Sequence, residues 1–154
     1  MALSSTWYVD FEAYHYRNCY IVKELAILNK DTLECHDYLV LSPSSIEAPP
    51  CTPSIQFQYH RHNLKWEDGY VHFSDVLRAV KHHVMRGDVV YAKGPQKVAF
   101  LRQWISQIKD LTWLNTPFKK LYNCINEVCD KKHGLNCARR KVHELRYFDC
   151  MHKC

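Results

Sequence analysis

Three runs dense in aromatic, aliphatic and β-branched residues open the chain, each followed by polar residues. Residues 7–12, 20–28 and 35–41 each predict a strand, with a turn at Asn29-Lys30-Asp31. Short connections between them predict an antiparallel meander. Residues 42–53 hold four prolines and several serines and predict a loop. Residues 59–69 predict irregular chain with a turn at Asp68-Gly69. Ser74 is an N-cap type before a helix over 75–85, with Val76, Leu77, Val80 and Val84 on its apolar face and Gly87 closing it. Residues 88–92 form a short apolar run between Gly87 and Gly94, which predicts a buried parallel strand. Pro95 suits the first position of the next helix, whose apolar positions are Val98, Phe100, Leu101, Trp104, Ile105 and Ile108. Residues 112–115 predict a short strand and 138–148 a final helix. The succession predicts one α/β domain over 1–154. Its sheet is mixed, an antiparallel three-strand meander extended by parallel strands, and is flanked by helices.

The 154 residues are 47% hydrophobic and 24% charged, an ordinary globular balance. No apolar run approaches a bilayer span, so no membrane partner is expected. The first ten residues have neither a basic segment nor a long apolar one, so no secretory signal is read. Eight cysteines then read as thiols of an intracellular protein, in cytoplasm or nucleus, rather than a disulfide framework. Five of them, Cys124, Cys129, Cys137, Cys150 and Cys154, fall near the end with His133, His143 and His152, a clustering that points to metal. Charge divides along the chain: residues 1–80 hold 6 Lys/Arg against 10 Asp/Glu, and residues 81–154 hold 15 against 6. The basic half could meet phosphate.

Asp10 and Glu12 are two apart on the first strand, so both carboxylates share one face. Such a pair can hold Mg²⁺ or Mn²⁺ for phosphoryl hydrolysis. Val9-Asp10-Phe11-Glu12 resembles the first motif of the DEDD-type 3′–5′ exonucleases, which implies an RNase H-like fold. That family also carries an acid at the start of the helix after the central strand, where this chain has Gln96 or Lys97. Its last motif follows a histidine closely with an aspartate, where this chain runs from His133 into Arg139-Arg140-Lys141. By this resemblance two of the four metal carboxylates are missing, and Asp88 or Asp149 would have to complete the site. Asp75 is a further acid in reach of a different alignment.

Cys129-x3-His133-x3-Cys137 supplies three zinc-ligand types at short spacing. It is similar to the tail of the Maelstrom domain, an RNase H-like domain with a Glu-Cys-His-Cys zinc quartet. The segment Lys23-Glu24-Leu25-Ala26-Ile27 and the strand His36-Asp37-Tyr38-Leu39-Val40-Leu41-Ser42-Pro43 are similar to that domain's early strands. The resemblance implies Glu24, Cys129, His133 and Cys137 as ligands of a structural zinc. It also implies RNA binding in transposon or small-RNA silencing. Most of the chain is similar to insect and transposon-borne proteins through Asp10-Phe11-Glu12, Val22-Lys23-Glu24-Leu25, Tyr59-His60, Trp66-Glu67-Asp68-Gly69, Lys93-Gly94 and Cys137-Ala138. Cys150, His152 and Cys154 form a competing trio of ligand types.

Lys119, Lys120, Lys131, Lys132, Arg139, Arg140 and Lys141 form the best basic surface for phosphates. Tyr14, Tyr16 and Arg17, just past the Asp-x-Glu strand, could stack on bases. His60, His62, His82 and His83 read as surface or loop residues. The function expected is binding of single-stranded nucleic acid, RNA above all. The alternatives are a metal-dependent nuclease using Asp10 and Glu12, and a scaffold for a protein partner.

Overall fold

The computed structural model describes residues 4–111 and 137–152. Strands β1 (Thr6–Tyr16), β2 (Cys19–Asn29) and β3 (Cys35–Leu39) come first. Then follow α1 (Pro53–His62), α2 (Phe73–His83), β4 (Val89–Ala92), α3 (Pro95–Leu101), β5 (Ile108–Asp110) and α4 (Ala138–His152). The strands make one sheet in the order β3-β2-β1-β4-β5. β1, β2 and β3 pair antiparallel, while β4 runs parallel to both β1 and β5. The mixed sheet expected from the sequence is therefore present, with its meander extended by parallel strands.

β1 lies at the centre, and its alternating side chains feed two cores. Trp7, Val9 and Phe11 pack with Val76 and Val80 of α2 and Val98 and Leu101 of α3. Tyr8 packs on the other face with Val142, Leu145 and Phe148 of α4. Those three, with Ala138, recur every three or four residues and form the apolar stripe that seats α4. The β1–β2 hairpin closes through Arg17 and Asn18, at φ 52° and 59°, the left-handed pair that matches the twist of a two-residue turn.

One irregularity is specific. Glu12 pairs with Glu24 but Ala13 with Val22, so Lys23 is an extra residue in β2. Its side chain is buried, and Nζ donates to Ser42 Oγ at 2.8 Å, Trp66 O at 2.9 Å and Asp68 O at 2.5 Å. Nearby, Gly69 has φ 130°, and a Cβ there would overlap the Val40 carbonyl.

Four local expectations are corrected. The stretch entering residues 59–69 is α1 up to His62; Thr52 Oγ1 caps it by accepting from Ile55 N at 3.2 Å, and Pro53 stands in its first turn. α2 starts at Phe73 rather than after Ser74, because Phe73 packs on Trp104 and Phe100. It also ends at His83, before Gly87. α3 ends at Leu101, and Ile108 belongs to β5. The strand expected at 112–115 lies outside the described residues.

Candidate functional site

Asp10 and Glu12 project toward α4, and the ladder sets Glu24 directly opposite Glu12. The three acids are only 9%, 7% and 0% exposed. Carboxylates this close and this dry stay charged only beside cations or strong donors. β4 pairs with β1 over Thr6–Tyr8 alone, so beyond Tyr8 the edge of β1 opens into a crevice past the carboxyl end of β4.

Two lysines fill that crevice. Lys97, in the first turn of α3, places Nζ 2.6 Å from Asp10 Oδ1 and 2.8 Å from Phe11 O. The same ammonium lies 4.9 Å from the Phe11 ring centroid. Lys141 of α4 places Nζ 2.5 Å from Glu12 Oε1. Two ammoniums, one from α3 and one from α4, are therefore aimed at Asp10 and Glu12. Burial pushes the Glu12 carboxyl up, and Lys141 and Lys97 offset only part of that rise. Burial works against the Lys141 charge too, yet Glu12 and Asp10 outweigh it and the ammonium is held above its ordinary value. Glu144 joins from the next turn of α4, where burial pushes its carboxyl up to about 7.

Asp88 and Asp149 do not complete this centre. Asp88 accepts from Ser5 N at 2.8 Å, Met85 N at 2.8 Å and Trp7 Nε1 at 3.1 Å, which ties the start of β1 to the chain before β4. Asp149 accepts from the Tyr8 hydroxyl beneath α4. Asp75 is on α2, paired with Arg78 at 3.1 Å.

Of the expected zinc ligands, Glu24 and Cys137 meet. Cys137 Sγ donates to Glu24 Oε2 at 3.6 Å, and Ala138 N donates to Oε1 at 2.7 Å. Asp37 of β3 adds a third donor within 4.8 Å. A buried carboxylate and thiol at one point, with a second carboxylate in reach, fit the donor chemistry of zinc. Cys129 and His133 lie outside the described residues. Asp37 was missed because nothing local marks it; the signal is its β3 rung opposite Ala26, two residues along β2 from Glu24.

The expected nucleic-acid contacts separate by exposure. Arg139 and Arg17 are exposed, and Arg17 lies over the half-buried Tyr16 ring at 5.1 Å. Arg140 is fully buried, Lys141 is committed to Glu12, and Tyr14 is buried with its hydroxyl donating to Leu64 O at 2.5 Å. None of these three presents the free surface expected of it. Lys119, Lys120, Lys131 and Lys132 lie outside the described residues. His62 is likewise buried: its Nδ1 accepts from Leu64 N at 3.0 Å, and burial pushes its pKa down to about 4.

Sequence reasoning missed Arg61, exposed near the end of α1. It lines a cleft of about 300 Å³ beside the lysine-filled crevice, together with Lys97, Lys141, Gln58, His15 and Tyr20. No protein-family model and no curated protein matches the chain.

Proposed function

We propose that this chain is a nucleic-acid-binding domain, directed to single-stranded RNA, on a degenerate RNase H-like scaffold. The mixed sheet β3-β2-β1-β4-β5, an antiparallel meander extended by parallel strands, supports that reading. The observation that carries the reading is the pair of contacts Lys97–Asp10 and Lys141–Glu12. Each ammonium sits on a carboxylate oxygen that a hard dication would need, and two positive charges repel a third. Such a centre disfavours two-metal hydrolysis, because its ammoniums are paired with Asp10 and Glu12. The adjoining cleft sets the exposed Arg61 beside the rings of Phe11 and Tyr20, a cation and aromatic faces of the kind that take a phosphate and a base together. Glu24 and Cys137, with Cys129 and His133, would hold a zinc whose four ligands leave no open position. That ion would fasten the start of α4 to β2.

The test is incubation of labelled single-stranded RNA and DNA with the full chain and with its Asp10→Ala variant, in Mn²⁺ or in chelator. Retention without shortening, weakening steeply with salt, is the expected result. Metal-dependent shortening lost in Asp10→Ala would establish the nuclease instead. Failure to bind at low salt would leave the protein-scaffold reading.

A further inference from the structure

A second group of ligating side chains lies on the opposite face of β3 from Asp37. Glu34 and His36 are two residues apart, so alternation puts them on the same side. Across the ladder His36 pairs with Ile27, which belongs to the core under α2. His83, the last residue of α2, arrives at that point. His36 Nε2 lies 2.9 Å and His83 Nδ1 3.8 Å from the same oxygen, Glu34 Oε1. One donor atom from each of the three residues lies within 4.8 Å of the others.

Ring stacking holds the two imidazoles together, and one of them has to turn out of the stack for both nitrogens to meet a single ion in their ring planes. The two imidazoles stack with centroids 3.8 Å apart and planes 19° from parallel. Tyr38 stacks beside His36 at 6.4 Å, and Trp7 lies against His83 at 6.4 Å. Side-chain exposures of 24% for His83, 27% for His36 and 48% for Glu34 leave the group open to an ion from solvent. A hydrogen bond to Glu34 accounts for the aim of His36.

We propose that Glu34, His36 and His83 form a surface site for a borderline first-row dication of the zinc class. Two imidazoles and one carboxylate are the donor set such ions take. Three protein ligands leave a coordination position for water or for a donor from a partner. The site is separate from the one at Glu24 and Cys137, since β3 stands between them, and it does not depend on the reading of function above.

Co²⁺ titration of the full chain, followed by visible absorption, tests the proposal. A site of nitrogen and oxygen donors gives d–d bands without thiolate charge transfer, whereas a site holding Cys137 shows that charge transfer. The expected result is a thiolate-free component that survives Cys137→Ser and that Zn²⁺ displaces. Its affinity falls at least about tenfold in His83→Ala and in Glu34→Gln, since even outer-sphere partners of a metal site are worth that much. Glu34 is exposed enough that Glu34→Gln reads the site without disturbing the core. Co²⁺ bound only with thiolate charge transfer, binding indifferent to both substitutions, or no binding would each overturn the proposal.

Discussion

Cys137 Sγ lies 3.6 Å from Glu24 Oε2 although 113 residues separate them in the chain. The other oxygen of that carboxyl accepts from Ala138 N, so a fully buried acidic side chain sits at the N-terminus of α4. The helix end stabilises the carboxylate whether or not a metal is bound, so the two contributions have to be separated. Glu24→Ala leaves the α4 end without its acceptor and is expected to cost about 2–4 kcal/mol in urea unfolding. Cys137→Ser keeps that acceptor. If zinc joins the two, chelation lowers the melting temperature of the wild type and leaves Cys137→Ser unmoved. Equal response of both proteins to chelator would remove zinc from Glu24 and Cys137.

The lysines of the crevice make a sharper prediction. Removing one partner of a buried ion pair leaves an uncompensated charge, so Lys141→Met is expected to destabilise by roughly 3–5 kcal/mol. Lys97 is more exposed and its loss is milder. With both ammoniums gone, Asp10 and Glu12 regain lone pairs for a hard cation. Mn²⁺ should then raise the melting temperature of the double variant Lys97→Ala/Lys141→Ala and leave the wild type unchanged. A wild-type protein stabilised equally by Mn²⁺ would show that the lysines do not block the site.

What was legible in the sequence follows from how local each signal is. β1 and β2 are buried on both faces over most of their length, β4 is buried on one face and half-buried on the other, all three are rich in apolar residues, and the α4 stripe repeats at helical spacing. α1 has Thr52 and Pro53 at its start but buries only His62, so no apolar period announces it. Ile105 and Ile108 continue the spacing of α3 although the chain has already turned; a turn followed by a strand can imitate three more residues of helix. That residues 96–97 and 139–141 include lysines and arginines and no acid was readable in the sequence. That Lys97 and Lys141 bend onto Asp10 and Glu12 was not, because it depends on where two helices dock. The burial of Arg140 and Tyr14 was hidden for the same reason: charge and aromaticity in sequence do not fix which side of a helix or strand meets the core.

Lys23 is the clearest case of a residue whose role depends on register. As the bulged residue of β2 it leaves the ladder and holds a hydroxyl and two carbonyls of the segment from Ser42 to Asp68. Burial pulls its pKa down to about 8. Lys23→Met keeps the aliphatic stem but strands those acceptors, and a loss of about 2–4 kcal/mol is expected. Limited proteolysis should cut residues 42–69 faster in the variant than residues 19–29. Unchanged cleavage would mean that Val40, Gly69 and Val71 hold the segment by themselves.

Glu144 gives the fold a pH dependence of definite sign. Burial raises its carboxyl from 4.5 to about 7, with Lys141 and Arg140 pulling partly the other way. A carboxyl raised on folding binds its proton more tightly in the native state. The stability it contributes is complete below about pH 4.5 and is lost as pH rises through about 7. Glu144→Gln keeps the neutral shape at every pH. Its stability relative to wild type should therefore be near zero at about pH 4 and reach a plateau by about pH 8, with the glutamine form ahead by up to roughly 3 kcal/mol. His62 and His143, both pushed down to about 4 by burial, act in the opposite sense and lose stability as pH falls below 6.5. Both are present in wild type and variant alike, so they cancel in the difference. Urea unfolding of the pair across this range reads the effect directly, and a difference that stays flat would mean Glu144 titrates as an exposed carboxylate does.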